Sequence, residues 1–489
     1  MGITLWTTSF ECDMNFREPL FSVRSIVVEP LSFSNVLYML SRLTASREGR
    51  FFLVSLNQRD FFGRFSIFAA DPIVTCLYQR GTLFVSDSLG KSLGRKSMSF
   101  AESLEYITAP LPGSEQRPAP FSGVAVGFFA YDACKYLERV TLPRQVLFDL
   151  PDFVFFFSDT FIVRDHFEQE TYLVLLDTNR STLSIEERRR AFHDEIAHLE
   201  TPHLFVPFTE EKVTAQPLVS KEDYLRAIRR IIAYIHAGDV YQVNYAYPIR
   251  LRTSAATADL FMQYVLKNPV DFAAYGSYGG VEVLSLSPEC FFTLYGDTIK
   301  SYPIKGTIGR AGDPERDLAL RKQLLSSEKD LAELAMIVDV VRNDMGKVAR
   351  VGSVKVKQHA SLDTFQTLYH LFSVVQGTVD SSRRGEIIAS LFPGASVTGA
   401  PKVRAMEIIA ELEPYRRGIY TGSIGWIGYH RGMAFNIAIR TIQKRKDELY
   451  YFTGGGIVAD SDPLVEYEET IVKTRSFFNI FPEVDLVVS

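Results

Sequence analysis

Cysteine is scarce in this 489-residue chain. Cys12, Cys76, Cys134 and Cys290 stand far apart, with no CxxC and no Cys/His metal spacing. That excludes a disulfide framework or zinc finger and predicts reduced, structural thiols in a cytoplasmic protein. Charge of one sign is also lacking. Lys and Arg number 53 against 58 Asp and Glu, for a formal net charge of −5. This is far from the basic footprint of a nucleic-acid binder. No apolar run reaches the roughly 18 residues of a membrane helix. The N-terminus has no basic segment followed by an apolar one, so no signal peptide is expected. Trp6 breaks the myristoylation pattern that Met1-Gly2 would open. Walker loops, GxGxxG and GxSxG are absent as well.

What is present is ordinary globular material. Hydrophobic residues make up 46% and charged residues 23%, close to the average domain. The length suits about three domains and a sizeable core. Aromatic residues reach 13%, but several strong helical patterns argue against an outer-membrane barrel.

Residues 17 to 180 read mainly as strands, among them 51–55, 64–69, 123–129, 153–157 and 171–176. The Pro-rich stretch 110–120 breaks this region. Ser184 and Glu187 form a capping box at the start of a charged helix. Residues 201–219 carry three prolines and no periodicity, which predicts a linker. Ser220 then caps a helix with a stripe of Leu225, Ile228, Ile231, Ile232 and Ile235, ended by Gly238. Further helices are expected over 326–343, 401–412 and 463–478. Strands are expected from Val240 to Leu251 and over 283–286, 421–428, 434–443 and 449–453. Strands and helices in both halves predict an α+β protein with large sheets. The expected organisation is an N-terminal region 17–200, the linker 201–219 and a C-terminal region 220–482.

Two helices offer carboxylate pairs three residues apart, hence on one face. They are Asp330 with Glu333, and Glu466 with Glu469. Such pairs suit a hard cation such as Mg²⁺, and they equally suit two solvated faces. Neither Asp330 nor Glu333 has a basic residue four positions later, whereas Glu469 has Lys473. The segment FPGASVTGAPK (392–402) and the run Gly454-Gly455-Gly456 precede helices. There, backbone N–H groups bind anions or simply make turns. Lys305, between Ile304 and Gly306, would serve as a nucleophile only with a depressed pKa. His370 lies among apolar residues, as core histidines do.

Together these segments resemble the chorismate-utilising enzymes. That family includes the large components of anthranilate and aminodeoxychorismate synthases, and the isochorismate and salicylate synthases. The resemblance is densest from Ser287-Pro288-Glu289 to Lys473. It runs through PIKGT, DVVRND, YHLFS, FPGASVTGAPKVRAMEIIAELEP, GIYTGSIGW, AIRT and GGGIVADSDPLVEYEET. A thinner resemblance, to the N-terminal part of anthranilate synthase large components, covers GRFSIFAADP (63–72) and GVAVGFFAYD (123–132).

The resemblance implies two large packed β-sheets with helices outside. It implies Mg²⁺ on Glu333 and Glu469, with Glu466 and Asp330 close by. It gives chorismate contacts to Gln242, Gly306, Thr307, Ser396, Tyr420, Arg440, Lys473 and the N–H groups of Gly454, Gly455 and Gly456. Glu289 would be the general acid, Lys305 the nucleophile, and His370 would sit near the reacting ring. Aminodeoxychorismate-forming members resemble PIKGT, and anthranilate-forming members PIAGT. Hydroxylating members carry a lysine where Gln242 stands. Lys305 with Gln242 thus implies amination of chorismate at C4, with ammonia from a separate glutamine amidotransferase in a heterodimer. Three departures stand out. Ser301-Tyr302 replaces the commoner Thr-Arg, and Asp330 replaces a Glu. The LLES-like motif of tryptophan-regulated members finds only Leu53-Val54-Ser55 here, without the Glu.

Overall fold

The computed structural model describes residues 14–31, 36–56, 64–199, 213–364 and 368–487. Two large, mainly antiparallel sheets dominate them. Along the first, the strands run Val23–Pro30, Glu170–Thr178, Thr160–Asp165, Phe65–Ala69, Phe51–Val54, Phe272–Tyr278, Val281–Ser287, Thr441–Arg445, Glu448–Ile457, Gln242–Arg252, Val213–Pro217 and Val484–Leu486. The second includes Ile304–Gly309, Leu368–Thr378, Cys290–Tyr295, Ser423–Gly428, Val124–Phe129 and Phe153–Ser158. Each sheet mixes strands from before and after residue 200.

The strand sequences explain this layering. Several first-sheet strands are apolar without a break, as expected where both faces are covered. Phe51, Ile67, Ala274 and Val283 point into the core shared with the second sheet. Their neighbours Phe52, Phe68, Ala273 and Leu284 point the other way. There they meet the helices Val36–Ser46, Lys221–His236, Thr257–Lys267 and Pro463–Phe478. The helices Phe100–Thr108, Glu328–Gly346 and Arg384–Leu391 contribute Leu104, Ile337 and Ile388 to the core that holds the second sheet. The resulting order is helices, sheet, sheet, helices.

Ser184 and Glu187 form their reciprocal cap, and Ser220 accepts from the Asp223 N–H. Two sequence expectations change. Residues 213–217 are not linker but a strand, paired antiparallel with 249–251 and parallel with 484–486. Two long-range pairings give this Pro-containing edge segment an order that its local sequence does not announce. Residues 201–212 lie outside the described residues, as does Cys12. The expected strand 434–443 is two strands, Met433–Asn436 in one sheet and Thr441–Arg445 in the other. Cys76, Cys134 and Cys290 are free and buried. Among the described residues, no helix is long and apolar enough to cross a membrane.

Candidate active site

The site is built on the first residues of the strand Gln242–Arg252. Val243, Tyr245 and Tyr247 bury into the helix-side core. Alternation therefore turns Gln242, Asn244 and Ala246 to the opposite face, where Ala246 packs with Tyr420 and Phe452. Gln242 is fully buried, and among the described residues neither of its amide atoms has a hydrogen-bond partner.

Opposite this strand lie the three glycines, and here the structure corrects the sequence reading. Gly454, Gly455 and Gly456 are not a loop before a helix but the end of the strand Glu448–Ile457, facing Ala246, Tyr245 and Asn244. Pairing with Thr441–Arg445 stops at Tyr451, so at the glycines that edge of the strand is no longer laddered. Glycine leaves room here for the ends of neighbouring side chains. A Cβ at 456 would lie 2.6 Å from Gln242 Nε2 and 3.2 Å from Lys305 Nζ, and one at 455 would lie 3.2 Å from Glu466 Oε2. The two sheets thus bring Gln242 and Lys305 together over Gly456, while the helix Pro463–Phe478 brings Glu466 over Gly455 on the other face of the strand.

Lys305 comes from the second sheet, on the strand Ile304–Gly309. Its pairing with Leu368–Thr378 slips between Lys305 and Thr307, at Gly306, whose φ is +74°. Such a bulge re-aims a side chain. Thr307 and His370 face each other across the pair, with Oγ1 and Nδ1 at 2.6 Å. His370 is buried. Lys305 Nζ lies 3.9 Å from Glu333 Oε2. Burial and the nearby Lys473 lower its pKa, against the pull of Glu333, Glu289 and Glu469. Burial raises Glu289 to about 7, although Ser396, Lys305 and the Ile304 N–H favour its ionised form. Glu289 and Ser396 line one small cavity. One carboxylic acid and one amine are therefore both biased toward their neutral forms, in one place.

The acids come from two capped helices. Ser327 caps Glu328–Gly346 and Asp462 caps Pro463–Phe478, with Pro463 in its first turn. Glu333 faces Lys305. Lys329, one turn before Glu333, has Nζ 4.0 Å from its Oε1 and also favours the ionised forms of Glu466 and Glu469. Glu469 pairs with Lys473 at 2.7 Å. Burial pushes its pKa up, but Lys473, Lys329 and Lys305 outweigh that and hold it low. Burial raises Glu466, which accepts from Ser461 at 2.6 Å. Asp330 accepts from Ser327 at 2.5 Å and closes its own helix end beneath Gly306.

Among the described residues, no three His, Cys, Asp or Glu side chains converge as a metal cluster. Mg²⁺ does not require three; it is commonly held by one or two carboxylates plus substrate oxygens and waters. Glu333 and Glu469, from separate helices and both close enough to influence Lys305, fit that donor set. Asp330 and Glu466 are engaged by serines.

The remaining expected contacts adjoin this centre. Tyr420 is buried and stacked on Phe452 at 4.9 Å. Arg440 holds a left-handed backbone, φ +50°, directly after Ile439, which packs on the Tyr420 cluster.

Sequence reasoning missed three features. Lys329 escapes a search for bases four residues after an acid, because it stands four before one. Asn244 shares the face of Gln242 at spacing two, and its buried Oδ1 has no hydrogen-bond partner among the described residues. The third is the pair Glu413–Arg417, both 1% exposed in their side chains. Arg417 donates to both Glu413 oxygens, to the carbonyls of Val397 and Asn244, and to Thr421 Oγ1. Glu413 accepts from the Ala246 N–H. The pair ties the Gln242 strand to the Ser396 segment and to the Tyr420 turn.

Known proteins resemble this chain in sequence and fold. The aminodeoxychorismate synthase component 1 of Bacillus subtilis is 33% identical over 454 residues, 91% of this chain and 94% of its own. The anthranilate synthase component 1 of Thermus thermophilus is 36% identical over 377 residues, 76% and 80% of the two chains. The crystal structure of anthranilate synthase component I from Streptococcus pneumoniae superposes with a TM-score of 0.74 at 27% identity, covering 86% of this chain and 94% of that one. The family described as chorismate binding enzyme matches residues 55–479, which hold every site residue above. This chain belongs to the chorismate binding enzyme family.

Proposed function

We propose that this chain aminates chorismate at C4 with ammonia, giving 4-amino-4-deoxychorismate. The observation that carries the reading is Lys305, a lysine whose side chain is only 15% exposed and whose pKa is lowered, over the same strand end as Gln242. Neutral Lys305 forms a bond from Nζ to C2 of the substrate while the two conjugated ring double bonds shift, to C1=C6 and C4=C5, and the C4 hydroxyl departs. Hydroxide is a poor leaving group, so Glu289, neutral up to about pH 7, donates the proton that makes it water. The adduct is a secondary ammonium. Ammonia then bonds to C4, both double bonds shift back, the C2–N bond breaks and Lys305 leaves as a neutral amine. The new C4 ammonium returns its extra proton to Glu289. The balance is chorismate plus ammonia to product plus water.

Chorismate carries two carboxylates. Arg440, Tyr420, Lys473, Thr307, Ser396, the edge of Gly454–Gly456 and the Gly306 bulge support their binding. Mg²⁺ held by Glu333 and Glu469, with Glu466 and Asp330 behind them, would supply charge neutralisation to a substrate carboxylate. His370 orients Thr307. The relatives named component 1 point to a second component, and a glutamine amidotransferase is the partner that amination with ammonia calls for.

The test is product analysis with chorismate, Mg²⁺ and an ammonium salt at alkaline pH. The expected product retains the enolpyruvyl group. Release of pyruvate with fluorescent anthranilate would assign the chain to the anthranilate-forming branch instead. Glutamine alone should support no turnover without an added amidotransferase.

A further inference from the structure

Three buried amide atoms on one face of one strand have no hydrogen-bond partner among the described residues. They are Nε2 and Oε1 of Gln242 and Oδ1 of Asn244. Leaving a buried amide atom unpaired forfeits its hydration with nothing in return, so a fold rarely collects such atoms without a ligand to complete them. Their place is defined by register. Asn244 lies directly across the ladder from Gly456, and cross-strand partners share a face. That is the face on which Gln242 Nε2 and Lys305 Nζ converge above Gly456. The Asn244 backbone is pinned on both sides, its N–H by the Thr398 carbonyl at 2.8 Å and its carbonyl by Arg417 at 2.8 Å.

We infer that Gln242 and Asn244 hold the incoming ammonia beside Lys305, an inference that rests on the amination reading above. Ammonia presents three N–H donors and one lone pair. Two amide carbonyl oxygens, Gln242 Oε1 and Asn244 Oδ1, accept two of the donors and leave the lone pair free toward the ring. Neutral acceptors suit this task. A carboxylate at either position would stabilise ammonium, whose lone pair is occupied by a proton. A lysine at 242 could not accept from ammonia while protonated.

The experiment is steady-state kinetics with varied ammonium salt at saturating chorismate, together with mass spectrometry of the Lys305 adduct formed without ammonia. Asn244→Ala should raise the KM for ammonia about tenfold, the loss of one hydrogen bond. The KM for chorismate and the rate of adduct formation should stay within about twofold of wild type on the same scale. Asn244→Thr, which keeps an oxygen and suits a strand, should give a smaller rise. Gln242→Met should raise the ammonia KM as well; because Gln242 is also an expected chorismate contact, only its ammonia KM is read. If Asn244→Ala does not fold, Asn244→Thr carries the test. An unchanged ammonia KM in the folded variants, or an Asn244 variant whose chorismate KM rises in step with it, would overturn the inference while leaving amination intact. A wild-type enzyme that forms no aminated product at any ammonia concentration would remove the amination reading itself.

Discussion

Two cations adjoin the same strand end, Arg417 fully buried and Lys305 with its side chain 15% exposed, and the fold treats them oppositely. Arg417 spends all five N–H groups on Glu413, Val397, Asn244 and Thr421. Burial works against its charge, but Glu413 and Tyr131 more than offset it and push the pKa up. Lys305 has its nearest carboxylate at 3.9 Å, beyond hydrogen-bond reach. Burial and Lys473 win there, and the pKa falls. A buried charge with every donor matched is a fastener. One left short of partners gives up its proton readily and becomes a nucleophile.

The largest expected effect breaks the fastener. Arg417→Met strands Glu413 as an unpaired buried carboxylate. It should cost about 3–5 kcal/mol of stability, the range for a buried pair that loses one partner. Urea denaturation reads this as a lower midpoint. A midpoint equal to wild type would mean that the pair holds nothing together.

The next sharpens the contrast at Glu289. Glu289→Gln should lower kcat by about 10²–10⁴-fold, the usual worth of a general acid. It should also abolish the alkaline limb near pH 7 in kcat/KM. The sign of the stability effect follows from the shift. Glu289 is raised in the folded state from 4.5 to about 7, so its contribution is complete below about pH 4.5 and is lost as pH rises to about 7. That shift corresponds to roughly 3 kcal/mol. Relative to Glu289→Gln, wild type should therefore lose stability across this window. A constant difference between the two proteins from pH 4.5 to 8 would contradict the raised pKa.

The smallest effect concerns Lys329, an exposed cation set between the acids of two helices. Lys329→Met removes a competitor for Glu333 and Glu469 and should tighten Mg²⁺ binding up to about fivefold, the worth of an exposed pair. Calorimetric titration without substrate measures it. Weaker binding would show that Lys329 supports the cation site instead.

The same contrast explains what the sequence made legible. Helices announced themselves through caps and stripes, as at Ser184, Ser220 and Asp462, because those signals act within one turn. Lys305, Glu289, Glu333 and Glu469 were found through motif resemblance, and the fold brings them together. Register was not legible. Gly454–Gly456 read as a loop because nothing local reveals their pairing with Asn244, Tyr245 and Ala246. Residues 213–217 read as linker because their partners are 32 or more residues away. Arg417 and Asn244 carried no local sign of importance. One matters for what it satisfies across three segments, the other for what it leaves unsatisfied.

The central claim is that Lys305 attacks the substrate. The most direct measurement is mass spectrometry of the protein mixed with chorismate and Mg²⁺ in the absence of ammonia, wild type beside Lys305→Ala. The expected result is a covalent adduct on the peptide containing Lys305 in wild type, no adduct in the variant, and loss of the adduct when ammonia is added. A wild-type enzyme that turns over normally yet never carries the adduct, with full activity in Lys305→Ala, would contradict it.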